Sequence, residues 1–148
     1  MQAILINIVM FLSWTFILYW FHRGIHHIPK FKEIHQDHHD YVTDYQPKWN
    51  WKNIFIWVDT WRSTADQWVT EVIPTVVFCY ITGYWWIAIF YWAWSAIIQE
   101  VIEHNPKFNI PLLTSGQWHL VHHRDWTKNF GIFFSIWDRV FGTYEAIK

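Results

Sequence analysis

Charge is missing from two long stretches of this chain and is concentrated between and after them. No Lys, Arg, Asp or Glu occurs from residue 1 to residue 21. At 1.5 Å per residue a run of about 20 residues crosses the hydrocarbon core of a bilayer, so a span over about residues 3–21 is predicted. A second uncharged stretch covers residues 72–99 and is interrupted by Ile81-Thr82-Gly83-Tyr84. It is too long for one ordinary span, and the Gly-centred break predicts a helical hairpin with arms over about 68–82 and 84–104, the first entered or kinked near Pro74. That first arm is short for a full crossing and is expected to thin the bilayer or turn back. Between the spans, Ile54, Trp57, Val58, Trp61, Ala65 and Trp68 recur at helical spacing, with Asp59, Arg62, Ser63 and Asp66 opposite. This stripe predicts a helix lying in the membrane interface. Residues 107–116, with Pro106, Pro111 and Gly116, read as a loop leading into a further helix.

The pattern defines the expected fold class: an all-α integral membrane protein, a small bundle of one span plus a helical hairpin, with a cytoplasmic His-rich helical cap. The 148 residues amount to a single domain, 1–148, and show no low-complexity segment. Composition agrees, because 53% of residues are hydrophobic and the excess is aromatic, with 14 Trp, 7 Tyr and 12 Phe. Trp and Tyr favour the boundary between membrane and water. A net charge of −1 offers no basic field for nucleic acid. The one cysteine, Cys79, excludes an intrachain disulfide. The first run lacks a basic start and a small-residue cleavage site and passes straight into His22, so it reads as an anchor rather than a cleaved signal. All 11 Lys and Arg follow residue 22 and avoid the apolar runs. The positive-inside rule then puts the N-terminus outside and every histidine cluster on the cytoplasmic face of a bacterial inner membrane or endoplasmic reticulum, in a multi-pass protein.

Histidine placement changes the picture from anchor to site. His35, His38 and His39 spell His-x-x-His-His, and His119, His122 and His123 spell it again. Random placement of ten histidines would give this pattern roughly 0.04 times per chain, so a pair is a specific signal. Residues at i, i+3 and i+4 share a helix face, so each triplet is expected to aim three imidazoles at one place. His22 and His26, at i and i+4, add a third cluster. Imidazole suits iron, copper, zinc and nickel, and eight or so ligands exceed what one ion takes, so two metals are expected. Placed at the cytoplasmic mouth of an aromatic membrane bundle, such ions would lie within reach of a lipid chain on one side and of electrons and protons on the other.

At this point the chain resembles a known superfamily. Tyr19-Trp20-Phe21-His22-Arg23-Gly24-Ile25-His26-His27, the first triplet, Glu103-His104-Asn105-Pro106, the second triplet, Asn129-Phe130-Gly131, and Trp137-Asp138-Arg139-Val140-Phe141-Gly142-Thr143-Tyr144 together resemble the fatty acid hydroxylase/sterol desaturase superfamily. The resemblance runs from Tyr19 to Tyr144. It implies a membrane-embedded di-metal centre, usually di-iron, that uses O₂ and two electrons to hydroxylate or desaturate an apolar substrate. It also implies the ligand set His22, His26, His35, His38, His39, His104, His119, His122 and His123, with His104 contributed by the resemblance itself. Zinc is the alternative occupant of a purified form.

Two departures stand out. Many members carry four membrane helices, whereas one span precedes the first histidine here. Some also carry a histidine four residues before or after the position of His104, where this chain has Glu100 and Phe108. Glu100, one turn before His104, is a candidate ligand or acceptor, and so is Asp138, as a ligand or in a buried pair with Arg139. His27 is a spectator or supporting group. Asp37, Asp40, Glu103 and Asp125 are further candidates for accepting an imidazole N–H. No flavin or cytochrome motif is visible, so electrons would come from a separate donor of ferredoxin or cytochrome b5 type. The expected function is a lipid hydroxylase or desaturase acting on a fatty acyl or sterol-like substrate, with a homo-oligomer as one way to complete the bundle. A carotenoid hydroxylase is the alternative within the same chemistry. A non-catalytic membrane metal-binding or transport protein would hold its ligands near the midplane rather than at one face. A haem carrier would use only one or two of these histidines per haem.

Overall fold

The computed structural model describes residues 1–40, 49–58, 60–110 and 112–146. Asp59, Pro111 and the side chain of Glu100, named above, lie outside the described residues. Among those residues the regular structure is helical, apart from one isolated antiparallel bridge between Leu113 and Phe134.

Helix α1, Gln2–Ile25, is apolar on every side and long and apolar enough to cross a membrane. It outruns the predicted span by a turn, which places His22 inside the helix and His26 at its C-cap. Only its second half is packed. Trp14, Leu18 and His22 repeat every fourth residue, flanked by Thr15 and Tyr19, and this stripe faces the protein while Ile4, Leu5, Ile8 and Val9 are exposed. Helix α2, Pro29–Asp40, begins on a proline, whose missing N–H costs nothing at a helix start, and buries only His35.

The predicted interfacial helix over 54–68 is not one helix. A 3₁₀ turn, Trp51–Phe55, ends at Ile56 in the left-handed conformation, and a new helix α3, Trp61–Gln67, starts where the Thr60 side chain accepts from the Ser63 N–H. A β-branched residue at φ 51° cannot continue a right-handed helix, and the Thr cap restarts it. The face assignment changes too. Trp61 and Trp68 point outward as expected, but the polar face (Ser63, Thr64, Asp66 and Gln67) is buried against the rest of the protein instead of facing water.

α3 runs through a π-helical turn, Trp68–Val72, into α4, Ile73–Thr82. Pro74, lacking an N–H and crowding the preceding turn, is accommodated just after this turn without ending the helix. Gly83 at φ 78° caps α4, donating to the Cys79 carbonyl at 2.8 Å, and reverses the chain. The return arm is α5, Trp86–Ala93, a second π-helical turn, Trp94–Gln99, and α6, Glu100–Ile102. The predicted hairpin is therefore present, with its second arm ending just before His104; by length and hydropathy α1 alone among the described helices qualifies as a span. Trp14, Leu18, Phe78, Cys79, Ile87, Tyr91 and Phe133 form the core where α1 meets the hairpin, and Trp14 Nε1 donates to Thr75 Oγ1 at 2.8 Å. The loop over 107–116 leads as predicted into α7, Gln117–Arg124, and α8, Ile136–Phe141, follows.

Candidate metal centre

Four elements converge on one end of the core. α1 brings His22 and His26, α2 brings His35, His38 and His39, the segment after α6 brings His104, and α7 brings His119, His122 and His123. Their ring nitrogens sort into two groups of four: His22, His26, His35 and His122, all buried, and His38, His104, His119 and His123, of which His119 is buried and the others partly buried. Within each group the nitrogens lie within 4.8 Å of one another. The expectation that each triplet aims at one place is corrected here. α2 gives His35 to the first group and His38 to the second, while α7 gives His122 to the first and His119 and His123 to the second. Positions three apart on a helix, such as His35 and His38 or His119 and His122, are about 60° apart in projection, so two adjacent sites can share one helix. His39 belongs to neither group; its Nε2 lies 3.0 Å from His35 Nε2 and its ring stacks 4.3 Å from that of His123 and 4.5 Å from that of Trp126. His27 is exposed and outside both groups.

The outer nitrogens explain the inner ones. His22 Nδ1 donates to the Phe130 carbonyl at 2.8 Å, His122 Nδ1 to the Lys128 carbonyl at 2.7 Å, and His35 Nδ1 to Asp66 Oδ2 at 2.8 Å. A carbonyl or carboxylate oxygen only accepts, so these contacts put the proton on Nδ1 and leave a lone pair on Nε2. Yet His22 Nε2 faces His35 Nε2 at 3.3 Å, and His122 Nε2 is buried with no partner. Two facing lone pairs repel, and a cation between them reverses the sign. In the second group the Nε2 separations are 3.3 Å for His38 with His119, 3.3 Å for His104 with His123, and 2.9 Å for His119 with His123. Imidazoles bound at about 2.0–2.1 Å to one ion stand about 2.9–3.4 Å apart in octahedral or tetrahedral arrangement, so the spacings fit a shared ion. Both His26 nitrogens are also buried and unpartnered.

Electrostatics keep these bases neutral. Burial, with neighbouring imidazoles second, pushes His38, His119 and His122 well below the usual histidine range, His26 down to about 3 and His123 to about 4. His39 moves the same way for the same reasons. Neutral imidazole is the ligating form.

Most of the acidic candidates serve elsewhere. Asp37 accepts from Thr60 Oγ1 at 2.8 Å, Asp40 from Gln36 at 2.6 Å, and Asp125 from Thr127. Asp138 neither reaches the imidazoles nor pairs with Arg139, whose guanidinium lies over the Tyr144 ring at 3.7 Å. Fully buried, Asp138 accepts from the Phe130 N–H at 2.7 Å, the Gly131 N–H at 2.9 Å and Thr143 Oγ1 at 2.7 Å. It thereby fixes the loop whose Phe130 carbonyl orients His22. Glu103 Oε1 sits 3.9 Å from His119 Nε2 and accepts from Gln99. The carboxylate that does hold a histidine, Asp66, was read from the sequence as part of a solvent face. Its signal was a single acid on α3, five residues after Trp61 and two before Trp68, weak without knowing which face is buried.

A cavity of about 70 Å³ lies beside both groups, walled by His22, His35, His38, His104 and His119 and, opposite them, by Asp66, Thr70, Glu71, Gln99 and Glu103. The polar wall comes from the two π-helical turns and their flanks.

A helical frame with one membrane-competent helix, closing two four-imidazole groups that could each hold a metal ion, defines a histidine-cluster protein. Comparison narrows the class: the profile of the fatty acid hydroxylase family matches residues 7–143, and the chain belongs to that family, within the fatty acid hydroxylase/sterol desaturase superfamily. It is 28% identical to the Delta(7)-sterol 5(6)-desaturase erg3B of Aspergillus fumigatus, over 92% of this chain and 38% of that protein. It is 26% identical to lathosterol oxidase of Mus musculus, over 96% of this chain and 46% of that protein, and 28% identical to methylsterol monooxygenase 1 of Danio rerio, over 84% and 42%. The chain thus spans less than half the length of these relatives. No solved structure matches it significantly.

Proposed function

We propose that this protein is an integral-membrane non-haem di-iron oxygenase that hydroxylates or desaturates a lipid. The observation that carries the reading is the pair of four-histidine groups, with Nε2 atoms converging at metal-ligand spacing in both and the Nδ1 protons of His22, His35 and His122 anchored outward in the first. Two ions fit, one on His22, His26, His35 and His122 and one on His38, His104, His119 and His123, with His39 between them as a ninth candidate. When bound, redox-active ions there supply the activation of O₂ toward an unactivated C–H bond. The chain's own residues hold the lone pairs in place, through Asp66 and the carbonyls of Phe130 and Lys128, and keep bulk water from the first group. A cavity of about 70 Å³ is far smaller than a lipid, which reaches it by one segment of its chain and not as a whole.

Names of the relatives favour a sterol-like or acyl substrate over a carotenoid. Electrons come from a separate ferredoxin or cytochrome b5 type donor. α1 and the α4–α5 hairpin form the multi-pass anchor, with the N-terminus outside and the histidines on the cytoplasmic face, because no Lys or Arg precedes Arg23 or lies near Gly83. The test is lipid profiling, under air, of a host expressing the chain against one expressing His122→Ala, paired with elemental analysis of the purified protein. Two ions per chain and a new oxygenated or unsaturated lipid lost in the variant are expected. One ion or none with iron supplied, or product at wild-type level in His122→Ala retained in the membrane, overturns the reading.

A further inference from the structure

The part of the chain that the sequence assigns to a cytoplasmic cap runs back down along α1. Trp137 packs its ring 5.0 Å from that of Phe16 and donates to Thr15 Oγ1, Phe134 lies 6.0 Å from Phe11, and Phe141 stacks 5.4 Å from Tyr19. Phe11 precedes His22 by eleven residues, about 16 Å at the helical rise, so the tip reaches well below the histidines toward the apolar end of α1. Two uncharged segments make this tip, 108–118 after Lys107 and 129–137 after Lys128. They are stitched to each other by two bonds, the Ser135 N–H donating to the Leu112 carbonyl at 2.9 Å and the Thr114 N–H to the Phe133 carbonyl at 3.2 Å, and within the first segment the Leu113 N–H donates to the Ile110 carbonyl at 3.2 Å. The outward side is apolar and open, with Leu112 at 59% and Val140 at 63% exposure, and Ile110 and Ile136 exposed beside them. Between this tip, α1 and α5 runs an open groove of about 620 Å³, lined by Ile8, Phe11, Trp86, Phe90, Leu112 and Ile136.

We propose that these two segments, together with helix α8 into which the second one runs, form a wedge inserted into the bilayer, with lipid acyl chains covering Leu112, Ile136 and Val140 and filling the groove against α1. Three features select hydrocarbon as the occupant. The wedge continues the lipid-exposed surface of α1 at the same depth, so water on one side would demand lipid on the adjoining one. Its large exposed side chains are aliphatic, with Asn109 exposed among them and Arg139 exposed beside Val140 at the rim of the groove, while Lys107 and Lys128 bracket the segments at their bases. Irregular backbone is tolerated at membrane depth only when its polar groups are satisfied within the protein, and the stitching does this for the N–H groups of Leu113, Thr114 and Ser135. The second histidine triplet is then carried on a unit anchored in the membrane from both of its flanks. The inference rests on the membrane reading of α1 but not on any metal or reaction.

The experiment uses the full chain in phosphatidylcholine liposomes, with Cys79→Ala as background and a nitroxide on Leu112→Cys or on Val140→Cys. Each label's collision rate with O₂, which partitions into lipid, is compared with that for a water-soluble nickel chelate; Ile8→Cys marks lipid and Lys30→Cys marks water. Labels at 112 and 140 that match Ile8, oxygen-rich and shielded from nickel, are the expected result. Nickel accessibility equal to that of Lys30 at either position, with Ile8 shielded, overturns the wedge alone. Nickel accessibility at Ile8 itself overturns the membrane reading and the wedge with it. Val140 is largely exposed, so its replacement does not depend on repacking.

Discussion

Asp66 is the one carboxylate that accepts from a ligand candidate's Nδ1, at 2.8 Å, among the hydrogen bonds of the described residues. His22 and His122 lean on backbone carbonyls instead, which no side-chain change removes. Asp66→Asn is therefore expected to weaken metal at the His22, His26, His35 and His122 group by about 10–100-fold while leaving the other group near its original affinity, because an amide can present its N–H to His35 and invert the tautomer. Chelator competition read separately for the two ions checks this; equal weakening of both would mean that Asp66 supports the fold at large. Asp138 answers to a different measurement. Its removal leaves the Phe130 and Gly131 N–H groups and the Thr143 hydroxyl without their buried acceptor. Asp138→Ala should cost about 3 kcal/mol or more, seen as a lowered thermal midpoint even in metal-free protein.

α7, like α2, is an element on which both ions would depend, since it contributes to each group. Its start is set by Gly116 at φ 71°, where a Cβ would overlap the Phe108 carbonyl oxygen. The Gly116 N–H also donates to the Glu103 carbonyl at 2.7 Å, tying α7 to the residue before His104. Gly116→Ala should shift this helix start at a cost of about 1–3 kcal/mol and lower occupancy at both groups together. That outcome separates it from Asp66→Asn, and metal content of the two purified variants distinguishes them. Gly83→Ala has open space around its Cβ and only the left-handed strain to bear, so a loss of about 1 kcal/mol with both ions retained is expected.

For the whole molecule, the lowered imidazoles tie stability to pH. In the unfolded chain histidines take up protons near pH 6.5, whereas in the fold His26 and His123 do so only near 3 and 4. Below about pH 6.5 the unfolded state binds more protons, so metal-free protein loses stability as pH falls from 7 toward 4 and is most stable above 7. Thermal unfolding of chelator-treated protein in detergent should show this slope, and adding a divalent metal at pH 7 should raise the midpoint because only the fold offers converged ligands. A midpoint flat between pH 7 and 5 would mean that the imidazoles are not buried as a group.

What the sequence determined by itself was local or compositional. The apolar α1, the Gly83 hairpin, the loop into α7 and eight of the nine candidate histidines could be read because helix period, charge-free length and clustered histidine motifs are properties of neighbouring residues; His104 came from the family resemblance. What tertiary structure decided was which face of each element turned inward. The polar side of α3, amphipathic in the usual sense, was assigned to water, but in a membrane-facing protein the apolar side goes outward and the acid goes in, which is how Asp66 comes to hold His35. The same holds for the triplets: spacing put three imidazoles on one helix face, but only the crossing of α1, α2 and α7 divided them between two groups. Asp138 had a motif to mark it and no partner until the loop at Phe130 folded over it, because hydrogen bonds between distant segments leave no trace in local pattern.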